Sequence, residues 1–217
     1  MTTAADTQPA SALNREAGDH AVTRDPTEIA AAERAIRRSW GEFPYYARRY
    51  GARGRAFSSS DSGWLITLCD LPPAGAEQQV LWLGTVLSAR GMPRWLLEVH
   101  LDQLHDELSR ARPGLDGARY ARLHECAAAL RERRLARLDA ETHARVEREF
   151  DARVSEDDRR LHRRTGGILA AAVADERDGI ALAVTSVVGW LTDPARFGDR
   201  WVAAVHEAVA DARASAR

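Results

Sequence analysis

The sequence predicts an all-α protein: a multi-helix bundle of roughly seven to nine helices behind a disordered N-terminal tail, given ordinary helix and loop lengths. Three observations carry this. Apolar residues recur at three- and four-residue steps in segment after segment. No segment alternates apolar and polar residues with strand-type side chains, and Asp116-Gly117 and Asp178-Gly179 lie between helical patterns. Proline and glycine fall where helices would start and stop.

The elements follow in order. Residues 1–25 are small and polar, with Pro9, Gly18 and no apolar period, and read as a disordered tail. Asp25-Pro26 opens a helix, because proline suits the first helical turn. Ile29, Ile36, Trp40, Phe43, Ala47 and Tyr50 give it one apolar face, and Pro44 forces a kink or break near Glu42. Gly51 to Gly54 makes a turn. Ser58, Ser59, Ser60 and Asp61 then offer caps to a helix carrying Trp64, Leu65, Leu68 and Leu71, which Pro72-Pro73 stops. Residues 75–90 carry Val80, Leu83, Val86 and Leu87 and close at Gly91. Pro93 starts the next helix, Leu97, Leu101, Leu104 and Leu108 form its stripe, and Pro113-Gly114 ends it.

Tyr120, Leu123, Ala127 and Leu130 mark a helix over 117–137. Residues 139–164 are nearly all charged or polar, and predict an exposed helical hairpin or connection. Gly166-Gly167 breaks the chain again. Ile180, Val184, Val187 and Leu191 precede a stop at Asp193-Pro194, and Trp201, Val202, Val205, Val209 and Ala212 form the last helix. The expected organisation is a tail over 1–25, a bundle over 26–138, a charged connection over 139–164 and C-terminal helices over 165–217 packing on the bundle.

Composition narrows the chemistry. The 31 basic residues, all Arg, stand against 32 acidic ones, for a formal charge of -1. That balance removes the usual electrostatic reason to expect nucleic acid. Without lysine, Schiff-base chemistry and a phosphate-loop lysine are excluded. Cys69 and Cys126 are far apart, so a zinc ribbon or redox pair is not expected. Residues 1–12 lack a basic segment followed by an apolar core, and no apolar run reaches spanning length. A cytoplasmic chain with no membrane partner is the expectation.

The spacing of histidines and carboxylates departs from the common catalytic and metal patterns. His124-Glu125 and His206-Glu207 have Ala128 and Ala210 at the fourth position, so neither forms the two-histidine zinc protease helix. A di-iron bundle needs two Glu-x-x-His pairs, and the sequence offers Asp102-x-x-His105. His143 and Glu147 lie one turn apart in the charged stretch, where an ion pair explains them. Arg163, Arg164 and Gly166-Gly167 before a helix have the elements of an anion site, but a plain interhelical turn is the favoured reading of them. Tyr45, Tyr46 and Tyr50 interleave with Arg48, Arg49, Arg53 and Arg55, a pattern for stacking a base or for arginine stems covering buried rings.

His100 and His105 flank the Leu97–Leu108 stripe, at about 60° on one side and about 80° on the other, so they do not share one ion. His100, the more inward, is the candidate axial ligand of a haem, with His105 or Tyr50 as the second-side group. A boundary histidine hydrogen-bonded to a neighbour is the structural alternative. Residues 94–100 (Arg-Trp-Leu-Leu-Glu-Val-His) also resemble 200–206 (Arg-Trp-Val-Ala-Ala-Val-His), which a helical duplication or coincidence would explain.

Three functional expectations follow. The first is a non-enzymatic binding or regulatory module acting through protein contacts. The second is a ligand- or haem-binding, globin-like sensor with His100 as axial ligand and His105 and Tyr50 nearby. The third is an α-helical metal-dependent enzyme using Asp102, His105 and Glu107. The expected partner is a protein, with a small-molecule ligand as the alternative.

Overall fold

The structure is a computed structural model that describes residues 6–114 and 118–215. The Asp116-Gly117 turn and residues 1–5 of the expected tail lie outside the described residues. About three-quarters of the chain is helical, in ten α-helices among the described residues, nine of them with seven or more residues. The all-α expectation is met. The helices are α1 (Pro26–Glu42), α2 (Pro44–Thr67), α3 (Pro73–Ala89), α4 (Arg94–Ala111), α5 (Ala121–Leu135), α6 (Ala140–Arg153), α7 (Glu156–Leu161), α8 (Thr165–Arg177), α9 (Ala183–Leu191) and α10 (Asp199–Ala214). Among the described residues no helix is long and apolar enough to cross a membrane.

The chain divides into two compact units. The first takes residues 1–42, 46–81 and 98–129, and the second 43–45, 82–97 and 130–217. The division is discontinuous in sequence, because α2, α3, α4 and α5 each supply residues to both units.

In the first unit, residues 6–25 depart from the expected disordered tail. Strands β1 (Thr7–Pro9) and β2 (Ala21–Thr23) pair antiparallel, with Gln8 opposite Val22. Ala10, Ala17 and Val22 bury a small cluster against Leu13 and Trp64. Gly63 admits this hairpin to α2: a Cβ there would stand 3.0 Å from Leu13 and 3.1 Å from Val22. Strands of three residues are too short to show a period, and that is why the sequence pattern missed them.

Helix α1 begins as expected: Asp25 Oδ1 accepts from the amides of Thr27 at 2.7 Å and Glu28 at 3.2 Å, the work of an N-cap. It ends at Glu42, before Pro44. Helix α2 is broken by Gly51, whose φ of 54° and ψ of -150° suit a residue without a Cβ. Ser58 to Asp61 are not caps. They lie inside the helix, where Ser58 Oγ donates back to Gly54 O at 3.1 Å and Ser60 Oγ to Phe57 O at 3.0 Å.

The second unit is built around α8. Every residue from Thr165 to Asp175 is buried. A helix apolar on all sides belongs inside, and α6, α9 and α10 pack on it. Gly166 and Gly167 do not break the chain; they begin α8 and allow α6 to come close. A Cβ on Gly166 would meet Glu147 Cα at 2.7 Å and Phe150 Cβ at 2.8 Å. The expected connection over 139–164 is therefore partly core: α6 buries His143, Val146 and Phe150. Asp139 caps α6 through Thr142 N at 2.8 Å, and Ser155 caps α7 through Asp158 N at 3.1 Å. Five of the tryptophans are half-buried or buried, whereas Trp82 is 58% exposed and not a core residue.

Candidate functional site

Ionisable groups gather around an open space in the first unit. A cleft of about 470 Å³ is lined by four carboxylates (Asp6, Asp25, Glu28, Asp70), three guanidinium groups (Arg24, Arg112, Arg119), Thr23, Pro26 and Thr67. Its parts come from the end of β2, the first turn of α1, the end of α2 with the short 3-10 turn over Leu68–Asp70, and the chain after α4. Proline and the capping aspartate fix where α1 starts, and so aim Glu28 into the cleft.

Arg119 organises it. Its guanidinium makes a two-pronged pair with Asp70, Nε to Oδ1 at 2.9 Å and Nη2 to Oδ2 at 2.6 Å. Its Nη1 reaches Glu28 Oε1 at 2.8 Å. Such planar pairing is what arginine offers and lysine does not. Burial works against the charge on Arg119, and Asp70 with Glu28 outweigh it and hold the pKa above the ordinary arginine value. Glu28, itself buried, also accepts from Tyr120 Oη at 2.8 Å and from Thr23 Oγ1. Burial and the Glu28 carboxylate raise the Tyr120 pKa. Arg112 pairs with Asp25. The buried Cys69 thiol, next to Asp70 in the chain, is pushed up to about 12 by burial, with Arg119 opposing. It is not an activated nucleophile at neutral pH.

The sequence candidates fall elsewhere, each among its own neighbours. His100 has Ser39 Oγ 2.8 Å from Nδ1 and Ser62 Oγ 2.9 Å from Nε2. Ser39 donates to Gln103 Oε1 at 2.7 Å, and Gln103 Nε2 donates to Glu42 Oε2 at 2.8 Å. With the Ser39 proton committed, Nδ1–H donates to Ser39 and Nε2 accepts from Ser62. Burial and the Arg55 charge lower the His100 pKa to about 4. Ligation of haem iron would require one of these serine bonds to break. Ser62 is 1% exposed, so its hydroxyl is sealed off from a substrate.

His105 packs beside His124, ring centroids 5.6 Å apart, and Tyr50 lies under the Arg49 guanidinium. The Asp102, His105 and Glu107 set divides: Asp102 holds His124 Nδ1 at 2.8 Å, while Glu107 takes Arg34 and Arg38 at 3.0 Å and Arg110 at 2.6 Å. Burial alone would raise the Glu107 pKa, and those arginines bring it below the usual range.

The other motifs resolve structurally. Tyr45 and Tyr46 are buried, and the guanidinium groups of Arg53 and Arg55 lie over the Phe57 and Trp40 rings. Arg164 stacks over Trp95 at 4.8 Å and pairs with Glu147 at 3.1 Å, while Gly166 and Gly167 lie inside α8 and not in the expected interhelical turn. His143 and Glu147 do not pair as expected: His143 Nε2 faces Gly167 O at 3.0 Å. The 94–100 and 200–206 segments differ in environment. Arg94 is buried on Asp175 and Asp178 and Arg200 bonds Arg153 O, while His100 is enclosed by two serines and His206 is exposed.

The class these features define is a two-unit all-α chain with a charged, mixed-sign cleft in the first unit. No protein-family model, curated protein or solved structure matches the chain. Sequence reasoning missed the cleft residues Glu28, Asp70 and Arg119. Their one visible signal was the Asp25-Pro26 helix start, which places Glu28 in the first turn.

Proposed function

We propose that this chain is a non-enzymatic binding module that receives a charged segment of a partner protein in the cleft of its first unit. The single observation carrying this is the Glu28–Asp70–Arg119 lattice, which presents both signs of charge at fixed positions around an open volume. Small-molecule sites of this size are predominantly apolar with a few polar groups, whereas this lining is predominantly ionic. A polypeptide with acidic and basic side chains in alternation meets such a lining, and complementary charge sets register and partner choice. The neutral, doubly bonded His100 and the raised Cys69 thiol support binding over catalysis.

The experiment is fluorescence anisotropy with synthetic peptides that alternate Arg and Glu, compared with all-acidic, all-basic and apolar peptides of equal length. The alternating peptide is expected to bind at least tenfold more tightly than the others. Raising salt from about 0.05 M to about 0.5 M weakens it, because exposed charges are screened. Arg24→Glu at the cleft should shift the preference toward basic peptides. Equal affinity across the four peptides, or a preference untouched by Arg24→Glu, overturns the proposal.

A further inference from the structure

Away from the cleft, α4 and α5 bring together two histidines that the sequence places nineteen positions apart, His105 and His124. We propose that these two imidazoles form a two-point site for a divalent transition-metal ion, with water completing the coordination. Among the described residues no group of three or more His, Cys, Asp or Glu is arranged to hold a metal, so the site rests on the pair.

Three features of the pair point the same way. The first is spacing. A metal–nitrogen bond of about 2.0–2.1 Å puts the centroids of two imidazoles on one ion roughly 5 to 6 Å apart, and these centroids stand 5.6 Å apart. The second is orientation. Asp102 Oδ1 lies 2.8 Å from His124 Nδ1, which fixes that nitrogen as the donor and leaves Nε2 for an ion. A carboxylate behind a metal-binding histidine both orients the ring and strengthens it as a ligand. His105 Nδ1 stands 3.7 Å from Asp106 Oδ1, beyond hydrogen-bond reach, so that ring is not held in the way His124 is. The third is access. The His105 side chain is 29% exposed and that of His124 58%, so an ion reaches both from solvent.

The surrounding charges set the selectivity. Asp106 is balanced by Arg38 at 3.3 Å and Arg110 at 3.7 Å, so it stays with its guanidinium partners. Asp102 remains on the back of His124. Two neutral nitrogens select zinc, nickel or copper over magnesium and calcium, which prefer oxygen. Copper binds most tightly on the ordinary order of divalent ions.

The test uses the full chain without an affinity tag. Calorimetric titration with ZnCl2 should show one ion per chain. His105→Ala and His124→Ala should each lose at least tenfold in affinity, and Asp102→Asn tenfold to a hundredfold. His206→Ala, at an exposed position of α10, should bind as the parent does. Copper loaded at one equivalent should show two imidazole nitrogens in its electron paramagnetic resonance spectrum. His124→Gln repeats the loss if the alanine variant is poorly folded. Zinc affinity unchanged in either histidine variant, or copper with fewer than two imidazole nitrogens, overturns the proposal.

Discussion

At the scale of single residues, the two enclosed histidines tie stability to pH. His100 sits between Ser39 and Ser62, and His143 lies against Trp95 with Nε2 on Gly167 O. Burial, with Arg55 near one and Arg134 and Arg164 near the other, lowers both pKa values to about 4 from an ordinary 6.5. The unfolded chain therefore takes up protons between pH 6.5 and 4 that the folded chain refuses. Stability is fully present above pH 6.5 and falls through that window, by up to about 1.4 kcal/mol per pH unit for each histidine. Thermal unfolding at pH 7, 5.5 and 4.5 should show the decline, and His143→Gln, which does not titrate, should make it shallower. Imidazole NMR signals of His100 and His143 that protonate near pH 6.5 would contradict it. The inward tilt of His100 was legible from helical angles alone, since Leu97 and Leu101 mark the buried side. Its serine partners were not, because Ser39 and Ser62 come from other helices at separations of 61 and 38 residues.

At the scale of elements, the same residue type plays opposite parts in two helices. Gly166 stands in the first turn of α8, where a Cβ would meet the Glu147 backbone at 2.7 Å. Gly189 lies in α9 with nothing within 4 Å of its Cβ position. Alanine favours a helix over glycine by about 1 kcal/mol, so Gly189→Ala should stabilise by about 0.5–1 kcal/mol. Gly166→Ala should instead destabilise by about 1–3 kcal/mol, the ordinary cost of overpacking. Urea unfolding of the two variants checks the opposite signs; a gain in both would refute the close packing of α6 on α8. The sequence pattern marked the glycine pair as a break because glycine is the commonest punctuation between helices. The run Ile168 to Ala174 beside it was the contrary signal, since small and apolar residues on every side describe a buried helix. Helix α6 was obscured differently: His143, Val146 and Phe150 keep a three- and four-residue step, but charged residues fill its other positions.

At the scale of the whole molecule, 31 arginines against 32 acids leave the chain nearly neutral, and the ion pairs they form differ widely in worth. The helix pattern was legible because it is local. The pairing was not, because Arg94 meets a carboxylate 81 positions away. That arginine and Asp175 are 6% and 1% exposed. Asp175 also accepts from Ser88 Oγ at 2.6 Å and from Arg94 N at 2.8 Å, and Asp178 takes the other side of the guanidinium at 2.8 Å. Burial works against the Arg94 charge, and the two aspartates outweigh it, raising its pKa. On the same helix Glu176 makes an equally short pair with Arg213, at 2.6 Å, but with side chains 30% and 52% exposed. Water competes for the second pair and is excluded from the first. Asp175→Asn leaves a buried guanidinium with one carboxylate in place of two, and should cost about 3 kcal/mol, the low end for breaking a buried pair. Glu176→Gln should cost less than about 1 kcal/mol. Urea midpoints at pH 7 measure both. The loss from Glu176→Gln should shrink further at high salt while that from Asp175→Asn persists, since only the exposed pair is screened. Equal losses with equal salt dependence would show that burial is not what separates the two pairs.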